Sequence, residues 1–134
     1  MLRISFFLFL VILFSSCNKP TGIKELVSTA DSVAINFFKG DGTMDTVMNV
    51  VVLHNKKQVD SLARYIESDR ISNSLCGYDG SLHFFKNNMV FEDVYFRMND
   101  ANCMHFVFVL NGEGYSTKLS ADAKQFLQSI RRTN

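Results

Sequence analysis

The chain is short of net charge, of cysteine and of any apolar run long enough to cross a bilayer, and each shortage excludes a class of protein. Fourteen Lys and Arg stand against thirteen Asp and Glu in 134 residues, for a net charge of +1. Nucleic-acid binding therefore has no electrostatic footprint, and the pair Arg131 and Arg132 reads as a helix end. The longest apolar stretch, "ISFFLFLVILF" from Ile4 to Phe14, falls short of the about 20 residues that a spanning helix needs. One proline and three cysteines are present, with no internal repeat, low-complexity tract or second linker. "DGTMD" lacks the alternating oxygen ligands, the sixth-position glycine and the terminal Glu of a calcium loop. "GYDG" and "GDG" lack the strand-to-helix context of phosphate loops and read as turns. No cofactor motif stands in the chain.

What is there begins at the N-terminus. Arg3 precedes the apolar run, and Ser15 and Ser16 follow it directly before Cys17. A basic start, a short apolar core and small residues at the cut describe a secretory signal peptide. The segment up to Cys17 resembles the lipobox of bacterial lipoproteins, with Phe14 where that family usually carries Leu. The resemblance implies a diacylglycerol thioether on Cys17, cleavage after Ser16, and an acylated new amino group. More than one acyl chain makes anchoring stable where a single chain is marginal. Residues 1–16 are then the signal peptide, 17–21 the acylated tether, and 22–134 one domain in the cell envelope. No Asp follows Cys17, so the outer membrane is the expected address, with the leaflet open.

With Cys17 taken by lipid, Cys76 and Cys103 are an even pair in an oxidising compartment, where a disulfide is the default. On the chain-entropy view such a loop contributes roughly 3.5 kcal/mol through the unfolded state. Buried thiols or a metal site are the alternatives, and zinc is disfavoured because neither cysteine has a second ligand at knuckle or helical spacing.

Hydrophobic periodicity orders the domain as ββαββββα, with a possible short helix over 22–30 ahead of it. "SVAINFF" (32–38) alternates as a strand and "TVMNVVVLH" (46–54) pairs back on it. Asn55 caps an amphipathic helix whose stripe is Val59, Leu62 and Ile66. A four-stranded meander follows over 81–86, 89–98, 103–110 and 114–119, its first turn made by Asn87 and Asn88. Ser120 caps the last helix, with Asp122 near its positive end and Arg131 and Arg132 near its negative end. The fold class is α+β: one antiparallel sheet of about six strands with helices packed on one face and one disulfide.

If Lys86 lies opposite Met89, then Phe84 faces Phe91, Leu82 faces Asp93 and His83 faces Glu92. That register sends Leu82, Phe84, Phe91, Tyr95, Phe106, Phe108, Leu110, Tyr115 and Leu119 to the core. It leaves His83, Phe85, Val90, Glu92, Val94, Phe96, His105 and Val107 on the second face, with Cys103 and Val109. A one-residue slip exchanges the faces. An apolar second face is either covered, by the N-terminal segment or the loop from Glu67 to Leu75, or is an exposed patch for an envelope protein or apolar ligand. A binding or accessory module is thus the first expectation. The alternative is a small envelope enzyme using a His83/Glu92 acid-base pair, although that pair lacks a nucleophile. His83 and His105 share the face but stand too far apart for one metal.

Overall fold

A computed structural model describes residues 19–41, 44, 46–72 and 76–132. The expected signal segment and Cys17 lie outside the described residues. Among the described residues no helix is long and apolar enough to cross a membrane.

The elements are α1 (Ile23–Val27), β1 (Ser32–Phe38), β2 (Val47–Leu53), α2 (Lys56–Ile66), β3 (Gly80–Lys86), β4 (Met89–Arg97), β5 (His105–Leu110), β6 (Glu113–Lys118) and α3 (Ala121–Arg132). The six strands form one antiparallel sheet in the order β2-β1-β3-β4-β5-β6. The expected α+β class, element order and strand count therefore hold.

Local chemistry explains the boundaries. The β3–β4 turn places Asn87 at φ 52° and Asn88 at φ 63°, and the β5–β6 turn places Asn111 at φ 53° and Gly112 at φ 77°. Both are two-residue hairpins in which asparagine or glycine tolerates the left-handed backbone that matches strand twist. Asn55 Oδ1 accepts from Lys57 N at 2.9 Å and Gln58 N at 3.4 Å, and Ser120 Oγ accepts from Ala123 N at 3.1 Å. These side chains satisfy N–H groups that the first helical turn leaves without partners.

All three helices cover one face. Ile23 and Val27 of α1, Val59, Leu62 and Ile66 of α2, and Ala123, Leu127 and Ile130 of α3 share a core with the inward residues of the strands. Phe37, Phe84, Phe96, Phe106 and Phe108 are its largest fully buried side chains, each contributing about 1.5–3 kcal/mol by leaving water. Phe37 and Phe96 meet edge to face, with centroids 5.9 Å apart.

The register departs from the expected one at a bulge. Lys86 does oppose Met89 and Phe85 opposes Val90, but Phe84 opposes Glu92, so Phe91 is the extra residue. Beyond it every pairing slips by one: Leu82 faces Val94 and His83 faces Asp93. Val94 and Phe96, expected on the second face, are therefore fully buried in the core. Tyr95, expected in the core, turns outward against Tyr78, with centroids 5.1 Å apart. Phe91 stays partly buried at the core's margin. Leu82, Phe84, Phe106, Phe108 and Leu119 are core residues as expected, while Leu110 and Tyr115 pack on it half-buried.

The connection from α2 to β3 travels across the sheet. Asp69 O accepts from Lys118 N at 2.8 Å and Ile71 N donates to Ser116 O at 3.0 Å, so this stretch lines the open edge of β6. Residues 76–79 then lie over the outer face. Cys76 is disulfide-bonded to Cys103, with Cα atoms 6.6 Å apart. Asp79 N donates to Phe96 O, and Asp79 O accepts from Phe38 N, each at 2.7 Å. Among the described residues the second face is thus covered at one end by residues 76–79. Met48, Val50 and Val52 of the edge strand β2 are about half exposed or more, at 60%, 51% and 49%.

Candidate functional site on the outer sheet face

Three features share the outer face: a groove, a polar seam and a stapled corner. The groove comes from the bulge. Pairing of β4 with β5 runs only from Val94 to Arg97 against Phe108 to His105. A bulge bends its strand and raises the twist, so Met89 to Asp93 diverge from the end of β5. Tyr78, Val90, Phe91, Tyr95, Val107 and Val109 line the gap, with Glu92 and Asp93 bringing carboxylates, around a cavity of about 510 Å³.

Charge is unevenly placed in that groove. Burial is the main influence pushing the Glu92 carboxyl above its ordinary value; the Asp93 N–H opposes this and the neighbouring Asp93 charge adds to it. Glu92 stands opposite the core residue Phe84 and Asp93 opposite His83, so the two carboxylates leave β4 on opposite sides, and Asp93 already accepts from His83.

The polar seam lies on β1, β3 and β4. His83 Nδ1 stands 2.5 Å from Asp93 Oδ1, and Nε2 lies 2.9 Å from Ser81 Oγ and 3.1 Å from Asn36 Nδ2. The carboxylate accepts from Nδ1–H, which leaves Nε2 to accept from Ser81 O–H and the Asn36 amide. The expected His83/Glu92 pair is therefore corrected: the partner is Asp93, because the bulge moves Glu92 opposite Phe84. A Ser81–His83–Asp93 order matches that of an acyl-transfer relay. Yet Ser81 is 2% exposed within the sheet, and Asn36 shares the nitrogen that would have to take its proton. An acyl donor has no approach to that hydroxyl.

At the stapled corner, His105 is fully buried. Its Nδ1 lies 3.5 Å from Cys103 Sγ and 3.8 Å from Cys76 Sγ, and Tyr78 meets the ring edge-on at 6.3 Å. Burial, and secondarily the Arg97 charge, hold the imidazole below its ordinary value. Cys76, Cys103 and His105 form a cluster whose ligand atoms all lie within 4.8 Å of one another. Beside it the buried Asp79 carboxylate accepts from Arg97 Nη1 at 2.9 Å, Met98 N at 2.7 Å and Asn99 N at 2.8 Å.

Of the residues expected on a binding face, Val90, Glu92 and Val107 line the groove and His83 adjoins it through Asp93. Phe85 sits half-buried between Ser32 and Val90, and His105 is covered by the stapled loop. Sequence reasoning missed Tyr78, Phe91 and Tyr95, and paired His83 with Glu92 although Asp93 stood beside it among the candidate carboxylates. Phe91, Tyr95 and the Asp93 pairing were hidden by the bulge, and Tyr78 by its distance along the chain.

Fold and site together define an α+β domain with one open antiparallel sheet, helices on its inner face, and an aromatic groove beside a disulfide-held loop on its outer face. No protein-family model, no curated protein and no solved structure matches the chain.

Proposed function

We propose that this chain is a lipid-anchored envelope protein whose outer groove binds a small ligand with an apolar or aromatic body and one cationic group. The observation that carries the binding reading is the groove: aromatic and aliphatic walls around about 510 Å³, with Glu92 and Asp93 among the lining residues. Pockets of this size, mainly apolar with a few placed polar groups, are the usual small-molecule sites. Tyr78, Phe91 and Tyr95 offer ring faces to a cation, and a cation beside Glu92 opposes the influences that raise its carboxyl. Binding rather than catalysis is the reading the geometry favours, since the seam beside the groove offers a buried hydroxyl in place of an accessible nucleophile. The anchor rests on residues 1–17, whose pattern supports acylation of Cys17 and an outer-membrane address.

Two measurements test this. Titration of the protein with a series of aryl-alkyl amines, followed by tyrosine fluorescence or NMR, should show saturable binding that neutral and carboxylate analogues lack. Glu92→Gln should weaken amine binding about tenfold, one charge-assisted contact. Equal binding of the carboxylate analogues, or none of the amines at millimolar concentration, refutes the groove. Intact mass of native membrane material beginning at Cys17 with acyl chains supports the anchor; an unlipidated chain starting at Met1 refutes it.

A further inference from the structure

Three soft donors converge where the α2–β3 loop is stapled to the sheet. Cys103 lies two residues before the start of β5 at His105, and its Sγ stands 3.5 Å from His105 Nδ1. Cys76 reaches them from the loop. Around a tetrahedral zinc-type ion, metal–sulfur bonds of about 2.3 Å and metal–nitrogen bonds of about 2.0–2.1 Å set sulfur–nitrogen edges of about 3.5 Å and sulfur–sulfur edges of about 3.8 Å. The sulfur–nitrogen separations here are 3.5 and 3.8 Å. Only the sulfur–sulfur distance must grow, by roughly 1.8 Å from a disulfide bond length, and Cys76 lies in a connection outside the strands. His105 supplies the second argument. A cystine sulfur has no proton to donate to an imidazole lone pair and is only a weak acceptor for an imidazole N–H, so it gives little to the fully buried ring in either tautomer; a cation gives the lone pair a strong partner.

We infer that Cys76, Cys103 and His105 form, in the dithiol state, a binding site for a thiophilic divalent cation of the zinc type, and that the cystine is the metal-free oxidised form of the same site. An external dithiol supplies the two electrons: its own sulfurs join as a disulfide, the Cys76–Cys103 bond breaks, and each freed sulfur takes up one proton. The cation then displaces those two protons, forming two metal–sulfur bonds and one bond to His105 Nδ1. Cys103 and His105 also line a cavity of about 480 Å³, which has room for water as a fourth ligand. Tyr78 lies between this site and the groove, meeting the His105 ring and lining the groove, but metal binding here does not depend on amine binding there.

The test uses the full chain, reduced with a dithiol and freed of reductant under argon. Titration with Zn²⁺ against a chromophoric chelator should show one ion bound, two protons released per ion, and both thiols protected from iodoacetamide. Co²⁺ should give the intense thiolate charge-transfer band of a tetrahedral sulfur site. The oxidised protein should bind at least a hundredfold more weakly. His105→Gln should still form the disulfide, which reports its folding, yet bind Zn²⁺ at least tenfold more weakly when reduced. Cys76→Ser should lose the charge-transfer intensity of one thiolate. Equal affinity of the oxidised and reduced forms, unchanged affinity in His105→Gln, or a reduced chain that Zn²⁺ does not keep folded would each overturn the site.

Discussion

Replacing Asp79 with Asn keeps the side chain's volume and removes only its charge, so it isolates what the buried ion pair contributes. Asp79 is 1% exposed, and its partner Arg97 has a side chain only 12% exposed. Arg97 Nε has no hydrogen-bond partner among the described residues, which leaves the Asp79 carboxylate as a main compensation for that cation. An asparagine oxygen can still accept from Met98 N or Asn99 N. Its amide, however, presents a donor to the guanidinium, also a donor. Leaving one member of a buried pair uncompensated costs about 3–5 kcal/mol, against a total stability of about 5–15 kcal/mol for a domain. With a urea dependence of about 1–3 kcal/mol per molar, the unfolding midpoint should fall by about 2 M. Arg97→Met should cost less, because Asp79 keeps two backbone donors, and the double variant should be less destabilised than the two single losses added together. Urea unfolding followed by circular dichroism measures all three. An Asp79→Asn midpoint corresponding to a loss under about 1 kcal/mol refutes this account of the buried pair.

Further outcomes follow from single contacts. A Cβ on Gly80 would stand 2.2 Å from Phe96 Cζ and 2.4 Å from Asn36 O; backbone is one of those neighbours, so Gly80→Ala should cost about 3 kcal/mol, the upper end of ordinary overpacking, and a denaturation curve overlying wild type would contradict it. Burial raises the Glu67 carboxyl, but hydrogen bonds from Thr21 N and Oγ, Lys24 N and Gly22 N outweigh it and hold the group below its ordinary 4.5. A depressed carboxyl stabilises the fold above its unfolded value and loses that contribution as pH falls through the folded one. The stability gap between wild type and Glu67→Gln should therefore be full at pH 6 and shrink as the pH falls below 4.5; a gap that does not vary with pH would sink the assignment. At the β2 edge, Val50 and Val52 are exposed on a strand without a charged residue between Val47 and Leu53. Exposed apolar edges template association, so Val50→Lys with Val52→Thr should lower light scattering at high concentration while changing stability by under about 0.5 kcal/mol.

Much of the architecture is written in short-range chemistry, which is why the sequence shows it. Paired asparagines at 87 and 88 demand a tight hairpin, Asn55 and Ser120 mark helix starts, and the Val-rich β2 can only be strand. The sheet's inner face was recoverable for Leu82, Phe84, Phe106 and Phe108 because each lies on a strand whose register the turns fix. Phe91 broke the inference: a bulge inserts one residue without a composition that announces it, since Val-Phe-Glu-Asp-Val reads as regular strand. From that point alternation points the wrong way, and Val94 and Phe96 exchanged faces with Tyr95. The contact of the 69–72 stretch with β6 and the meeting of Tyr78 with Tyr95 were equally hidden, because each pairs residues far apart in the chain. The His105 cluster was half legible, for the expected strand over 103–110 set Cys103 and His105 on one face, while Cys76 joins them only through the loop's path. The same event that defeated the register opens the groove: with regular pairing, β4 would stay beside β5 as far as Leu110 and the gap between Phe91 and Val109 would close. Deleting Phe91 should thus restore a continuous β4–β5 ladder and abolish amine binding together. Ligand binding that survives in a folded deletion variant would separate the groove from the bulge.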